Sequence, residues 1–297
     1  MKSNNALGEN IYNVRNFKRN KKKRQCPRIG TYIALILYSI YILVPFWIIF
    51  VSSIKSVQEA AMFNFTWWPS MGIEWSAFKR VFQYGGLLRG FRNTLLFYLP
   101  PTIIGLFVSA LSAYGFAKMK WVGRDAIFSF LLFTMMIPGS ITMTATRLIF
   151  DEINWIGTPL PVMIPGMFGS IGIVFFLRQY IKGIPDELLN AAKIDGTSEL
   201  RIFLQLILPL SVPALLTQGV LTFIGHYNDY TGALLYLIDE ELYTLQISIK
   251  FLADTFRTDI PSQMAAAFIG MVPVLLIYLF LQNYILKGIS MSSGLKG

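Results

Sequence analysis

The chain has 297 residues, and 26 Lys/Arg with 16 Asp/Glu make it only 14% charged, where a soluble chain carries about a quarter. With 54% apolar residues, 15% aromatics and a mean hydropathy of +0.53, it lacks the polar material for a water-facing surface. That excludes an ordinary soluble domain, a disordered tail protein and a secreted disulfide scaffold. One cysteine, Cys26, permits no internal disulfide and no cysteine metal cluster; one histidine, His226, removes most zinc and acid–base constellations.

Six stretches bounded by charges contain no Asp, Glu, Lys or Arg: 29–54, 93–117, 126–146, 153–177, 202–228 and 260–286. Each exceeds the roughly 20 residues that cross a hydrocarbon core as a helix, and in lipid a segment must satisfy its own backbone polar groups. The spacing predicts an all-α integral membrane protein with six transmembrane helices. In chain order it predicts a basic arm over 1–28, a first transmembrane helix over 29–54, an outer segment over 55–92, a core over 93–290 holding helices two to six, and a tail over 291–297.

With the N-terminus inside, 18 of the 26 Lys/Arg fall in the inside segments 1–28, 118–125, 178–201 and 287–297. This excess predicts a multi-pass protein of the cell membrane with both termini cytoplasmic. Lys55, Lys79, Arg80, Arg89 and Arg92 run against it, in a segment long enough to obey the rule less strictly. The basic run from Asn16 to Arg24 ends just before the first helix, so it reads as a topology anchor beside anionic lipid rather than a nucleic-acid arm. The stretch 29–54 continues through Val44-Pro45-Phe46-Trp47, well past the ~7–15 apolar residues of a cleaved signal peptide.

The fourth stretch is irregular, with three prolines and three glycines between Thr158 and Gly172. Two readings stand: a broken helix lining a path, or close helix packing through small residues. The fifth stretch ends on His226-Tyr227-Asn228-Asp229, where His226 and Asp229 share a helix face three residues apart. A membrane-embedded enzyme would use them as base and orienter. As a straight helix, the 20 residues from Pro209 to Asp229 span ~30 Å and put the carboxylate near the outer boundary, where it is solvated or faces a cavity. No GxxxxGK[ST], HExxH, CxxC or GxGxxG after a strand occurs, so the chain has no visible site for using ATP itself. The intramembrane ionisable residues of a proton- or ion-coupled secondary carrier are also missing. The six Trp residues sit near helix ends and read as interfacial belts rather than sugar platforms.

The segment 182–209 carries the functional argument. Pro185 suits a first helical position, and Asp186 and Glu187 suit a helix N-terminus. Leu188, Leu189, Ala191, Ala192 and Ile194 form an apolar face against Glu187, Asn190, Lys193 and Asp195. Gly196 can end the helix in a left-handed conformation, and Thr197 can cap a second helix with Glu199 in its first turn. A short amphipathic helix, a sharp turn and a helix entering the membrane follow. The amphipathic helix could rest on lipid, on the protein's own underside, or on another subunit.

The segment resembles the cytoplasmic EAA loop of binding-protein-dependent ABC importer permeases, EAA-x3-G-x9-I-x-LP. Here the pattern falls on Asn190-Ala191-Ala192, Gly196, Leu206 and Leu208-Pro209 with every spacing kept, Asn190 replacing Glu and Leu206 replacing Ile. Arg92-Asn93-Thr94, Ala113-Tyr-Gly-Phe-Ala-Lys118, Met136-Ile-Pro138, Phe176-Leu-Arg-Gln-Tyr180, Tyr227-Asn-Asp229 and Glu241-Leu-Tyr-Thr-Leu245 look like the carbohydrate permeases of the maltose and multiple-sugar type. Thr144-Ala-Thr-Arg-Leu148 departs from the Pro-Leu-Tyr often found there.

The resemblance implies a type I ABC importer transmembrane fold and a sugar-importing assembly. Its members would be a second, homologous permease, two cytoplasmic ATPase subunits that bind ATP and Mg, and an extracytoplasmic sugar-binding protein. The chain itself would bind no cofactor or metal and would have no catalytic residue. Asn190, Ala191, Ala192, Asp195, Gly196, Leu206 and Pro209 would couple it to the ATPase, with Pro209 and Pro213 shaping the transmitting helix. Tyr227, Asn228 and Asp229 would be candidate substrate-path residues. The acidic loop 238–263 would reach toward the binding protein or be simply solvated.

Overall fold

The structure, a computed structural model, describes residues 29–62, 64, 66–84 and 86–294; the basic arm expected over 1–28 and the final residues of the tail lie outside these. Every regular element among the described residues is helical. By compactness the chain divides into Met1–Ile48 and Ile49–Gly297. Helix α1 (Ile29–Ser53) starts in the first unit with an uninterrupted apolar run. Its last turn belongs to the second unit, where Val51 and Ser53 are buried and the Phe50 ring lies 5.3 Å from that of Phe268.

Four stretches are long and apolar enough to cross a membrane unaided: α1, α4 (Leu87–Lys118), Leu160–Lys182 and the first part of α14 (Ile260–Gly294). Two bent pairs bring the number among the described residues to six when each is taken as one span. These are α5 (Arg124–Thr134) with α6 (Gly139–Glu152), bent by 92°, and α10 (Glu199–Leu210) with α11 (Val212–Tyr227), bent by 74°. The straight helices expected over 126–146 and 202–228 are therefore broken. In the first pair, α5 ends at Thr134, short of Pro138, as expected where a proline disfavours helix in the residue before it, and the chain restarts at Gly139 with Pro138 as the N-cap. In the second, Pro209 has no N–H to give; the helix widens to a π turn over Phe203–Ile207, and Ser211 closes it onto the Ile207 carbonyl at 2.9 Å.

Helix α4 is the hub. It packs against α3 (Ser76–Tyr84), α5, α7 (Leu160–Met167), α8 (Ile171–Lys182), α10, α11 and α13 (Leu245–Thr255). Apolar burial drives helices together in water but not in lipid, where close van der Waals approach must do the work. Small residues on α4 allow it. A Cβ on Gly105 would overlap the Gly166 carbonyl oxygen, and one on Gly90 would lie 2.6 Å from the Ser248 hydroxyl and 3.1 Å from the Leu245 backbone. Gly169, at φ +83°, breaks α7 from α8 and lets the next amide, on Ser170, donate to the Ser109 hydroxyl at 3.2 Å. Gly166 and Gly169 thus serve close packing against α4, as the second of the two sequence readings has it.

The segments expected as outer loops, 55–92 and 238–263, are largely folded. Within 238–263, α13 buries Leu245, Ile247, Ser248 and Leu252 between α4 and α14, leaving Ile238, Asp239, Glu240 and Glu241 exposed. Asp259 is held by Arg80 of α3 at 2.8 Å, and Asp254 by Lys250 at 2.9 Å. Within 55–92, the short helix α2 (Val57–Ala60) carries Glu59, only 3% exposed. Its carboxylate accepts the Thr66 hydroxyl and the Ser70 amide at 2.8 Å and the Met71 amide at 3.2 Å, which pins the loop that follows.

Burial works against ionisation of Glu59, but the amides of Ser70 and Met71 and the Thr66 hydroxyl outweigh it and bring the carboxyl from 4.5 to about 2. A depressed carboxyl contributes stability that is complete above its unfolded value and lost as pH falls through the folded one. Amide exchange at Ser70 and Met71, corrected for intrinsic rate, is expected to stay slow from pH 7 to about 4.5 and to accelerate toward pH 2. Glu59→Gln should accelerate it at neutral pH by about tenfold or more, since hydrogen bonds to a charged group are worth about 1.5–3 kcal/mol.

Candidate functional site

The amphipathic helix is α9 (Asp186–Ile194). Pro185 stands one position earlier than expected, as the N-cap at φ −57° and ψ 135°. Leu189, 4% exposed, turns inward with Ala192 onto the cluster formed by Leu177, Ile181, Ile202 and Phe203. Leu188, at 45%, and Ile194, at 86%, turn outward beside exposed Asn190 and Ala191. The apolar face read from the sequence is therefore divided, one edge serving this chain's core and the other uncovered.

Two hydrogen bonds end the helix in a Schellman turn: Gly196 N–H to the Lys193 carbonyl and Thr197 N–H to the Ala192 carbonyl, both 3.0 Å. Gly196 sits at φ +74°, and a Cβ there would meet nothing within 4 Å. Its requirement is conformational rather than spatial. Asp195 is the C-cap, and the next helix is capped by Ser198 rather than Thr197, with Glu199 its first residue.

Both ends of α9 are tied to two successive turns of α4. At the start, Lys118 donates from Nζ to the Ile184 carbonyl and to Asp186 Oδ1, each at 2.6 Å. The hydrogen bond and charge of Lys118 hold the Asp186 carboxyl below its usual range. At the far end, Lys193 bridges the turn to Glu199 Oε1 at 2.6 Å, and the Tyr114 hydroxyl donates to Glu199 Oε2 at 2.5 Å. Tyr114 and Lys118 are four apart and so share a helix face. That spacing was visible in Ala113-Tyr-Gly-Phe-Ala-Lys118; the remote partners were not. Of the remaining predicted coupling residues, Leu206 packs on the same cluster as Leu189, and Pro209 is exposed next to the bend at Ser211.

A second cluster lies farther along α4. The Tyr98 hydroxyl donates to Asp229 Oδ2 at 3.3 Å, and the Gly232 amide, in the short helix α12 (Thr231–Tyr236), donates to Asp229 Oδ1 at 2.9 Å. Thr102 Oγ1 is 3.3 Å from His226 Nδ1, and the Tyr98 and His226 rings stack at 5.1 Å. At ~1.5 Å per residue, Tyr98 is about 9 Å and Thr102 about 15 Å past Arg92 along α4. Asp229 follows the C-terminus of α11, to which the bend at Ser211 leaves only 16 residues, or about 24 Å, of straight run. The side-chain hydrogen bonds of His226 and Asp229 go to Thr102, Tyr98 and Gly232 and not to one another, so the base-and-orienter geometry is not formed. Tyr227, 1% exposed, donates to the Gly270 carbonyl at 2.8 Å and packs α11 on α14. Asn228 is exposed, with Oδ1 3.5 Å from Gln246 Nε2. The described residues hold no group of three His, Cys, Asp or Glu placed to bind a metal.

A polytopic helical protein with a tethered amphipathic helix at one end is the class these features define. The chain belongs to the family described as the binding-protein-dependent transport system inner membrane component, which it matches over residues 102–291. It is 28% identical over 282 residues to the arabinooligosaccharides transport system permease protein AraQ of Bacillus subtilis (strain 168), covering 92% of this chain and 99% of that protein. It is 25% identical to the polygalacturonan/rhamnogalacturonan transport system permease protein YtcP of the same strain, over 87% of this chain and 94% of that one. The inner membrane ABC transporter permease protein YcjP of Escherichia coli (strain K12) is 27% identical over 93% and 99%. Among solved structures, a chain of a bacterial ABC transporter involved in import of the acidic polysaccharide alginate superposes with a TM-score of 0.76 at 23% identity, over 88% of this chain and 98% of that one. The fold is that of an ABC importer permease.

Because space is open at Gly196, substitution there tests backbone conformation alone. Gly196→Ala should cost about 1–2 kcal/mol, read as roughly 5- to 30-fold faster exchange of the Thr197 amide. Gly196→Asn should cost less, since Asn tolerates the left-handed region; equal losses would mean a cause other than φ.

Proposed function

We propose that this chain is a permease subunit of an ATP-driven, binding-protein-dependent importer of carbohydrate, and that α9 is where it is driven. The observation carrying this reading is the uncovered apolar edge of a helix whose two ends are both fastened to the hub of the membrane core. Leu188 and Ile194 gain little from facing water, and a cytoplasmic ATPase subunit gives them a place to be buried. The excess of Lys/Arg in the segments around α9 supports a cytoplasmic position for that end and for both termini. Asn190 removes the charge found in the EAA pattern, so docking here rests on apolar contact and on the Gly196 turn rather than on an ion pair.

The carbohydrate class is supported by relatives named for arabinooligosaccharides and for polygalacturonan and rhamnogalacturonan. In this reading ATP and Mg reside on two partner ATPase subunits, and the chain performs no catalysis of its own. A second homologous permease completes the path, and an extracytoplasmic protein delivers the sugar. Closure of the ATPase dimer displaces α9. The Lys118 and Glu199–Tyr114 ties carry that displacement into α4, while α10 carries it through the Ser211 bend into α11. The membrane helices then change from inward- to outward-facing.

The reading is tested by assembling this chain with its second permease, ATPase and binding protein, screening the binding protein on a glycan panel, and measuring uptake of the sugar it selects. Uptake should require ATP and every subunit; accumulation by this chain alone in vesicles would overturn the reading. Leu188→Asp and Ile194→Asp should each weaken co-purification of the ATPase more than tenfold, since each removes about 1.5–3 kcal/mol of apolar burial. Tyr114→Phe should leave the ATPase bound but lower sugar imported per ATP several-fold; unchanged coupling would show that the Glu199 tie transmits nothing.

A further inference from the structure

The end of α4 that holds α9 carries more positive charge than its own carboxylates match. Lys118, Lys120 and Arg124 fall in the turn from α4 into α5. Arg124 pairs with Asp125 at 3.0 Å, and Arg178 of α8 reaches the same carboxylate at 3.1 Å. Arg178 is buried behind the turn, its guanidinium 4.0 Å over the Phe128 ring and its Nε donating to the Phe116 carbonyl at 3.1 Å. Lys182, one helical turn further along α8 and exposed, lies within electrostatic reach of Arg124, Arg178 and Asp125. Lys118 already occupies Asp186, and exposed Lys120 stands within reach of that same carboxylate. Even with Glu187, which follows Asp186, these five cations outnumber the carboxylates beside them.

This charge borders an apolar surface. A cavity of about 460 Å³ opens at the turn between Lys120, Trp121, Gly123, Arg124 and Asp125. Val122 beside it is 100% exposed. From the rim of the cavity an apolar edge runs along α5 through Ile127, Phe130 and Phe133, all exposed and three residues apart. A Cβ on Gly123 would lie 3.9 Å from Ile127 Cδ1, which fixes where that edge begins. Tryptophan and long cationic side chains at the end of a span suit the headgroup layer of a bilayer, the cations by laying their stems along apolar surface. A cationic cavity at the foot of an uncovered apolar edge has the layout of a phospholipid, with phosphate below and acyl chain above. A free phosphate would use the cations and leave the edge bare.

We propose that the cavity at the α4–α5 turn binds the headgroup of an anionic phospholipid, with Lys120 and Lys182 meeting its phosphate and the edge of Ile127, Phe130 and Phe133 lying along its acyl chain. The proposal goes beyond the importer reading and requires of it only that this chain spans a bilayer. Asp125 has a part in the site: by bonding both Arg124 and Arg178 it holds two guanidinium groups at the cavity while cancelling only one of their charges.

The test crosslinks lipid to the assembled complex in phosphatidylcholine nanodiscs. The probe is a phosphatidylglycerol with a diazirine on its acyl chain near the glycerol, compared with the same photolipid bearing a choline headgroup. Adducts on residues 119–134 are quantified by peptide mass spectrometry, which separates this site from the basic run 16–24, itself attractive to anionic lipid. The glycerol headgroup should label 119–134 about tenfold or more above choline, and Lys120→Gln and Lys182→Gln should each lower that labelling about fivefold. Lys120→Arg should keep it. Should the glutamine variants not assemble, raising salt from about 0.1 to about 1 M shortens the screening length and should shrink the wild-type preference by itself. Equal labelling by the two headgroups, a preference that survives both glutamine changes, or one that ignores salt overturns the proposal. Loss of labelling to millimolar glycerol phosphate shows a site for soluble phosphate, and labelling only after the ATPase is stripped away shows that this subunit covers the turn; either result overturns it as well. The crosslinking needs neither sugar nor ATP, so a complex that imports carbohydrate without labelling loses the lipid site alone, and one that labels without importing loses the importer reading alone.

Discussion

Tyr114 and Lys118 occupy successive turns of one helix face, and between them they hold both ends of the short helix that faces away from the core. Without these ties α9 would touch the rest of the protein mainly through Leu189 and Ala192, a patch too small to oblige the core to follow a displacement. With them, the last turn of α4 and α9 move as one piece. Charge-assisted hydrogen bonds are directional as well as strong, so the ties constrain orientation in addition to distance. Lys193 and Glu199 extend the same constraint across the Gly196 turn, which is why the left-handed glycine, the ion pair and the tyrosine form one device.

What makes α4 a suitable anchor is the closeness of its neighbours. Glycines at positions 90, 105, 166 and 169 bring backbones together where no side chain would fit, and in a lipid environment such proximity supplies the attraction that apolar burial supplies in water. The helices that bend, α5–α6 and α10–α11, do so beside this rigid element. Bending at Pro138 and near Pro209 exposes backbone groups to a medium that cannot satisfy them. Local π and turn bonds, such as that from Ser211 to Ile207, meet the need at the second bend.

Charge spacing was enough to read the six apolar spans, because the cost of a charge in hydrocarbon leaves a one-dimensional trace. The amphipathic helix, its Gly196 terminus and the spacing of the EAA pattern were legible for a similar reason: each depends on residues within a turn or two of one another. The 92° and 74° bends were not. Proline marks where a helix can break, but tertiary contacts decide whether it kinks or turns a corner. The run from Pro209 to Asp229, reckoned as one straight helix, is bent by 74° instead. The same limit hid α13, whose sequence reads as an acidic loop because its buried face of Leu245, Ile247, Ser248 and Leu252 is short and broken by polar residues. Tyr98, Thr102 and Tyr114 could not be singled out, since an intramembrane hydroxyl acquires meaning only from a partner more than 80 residues away.

The two polar clusters differ in how they treat the low dielectric around them. At the two ends of α9, Asp186 and Glu199 are each matched by a lysine, and the pairs bind elements into one unit. Around Asp229 the bonded partners, the Tyr98 hydroxyl and the Gly232 amide, are neutral donors, so dipoles position this carboxylate where cations position those of Asp186 and Glu199. Both ways of holding a carboxylate draw on one helix: α4 supplies Lys118 and Tyr114 at its end and Tyr98 farther along.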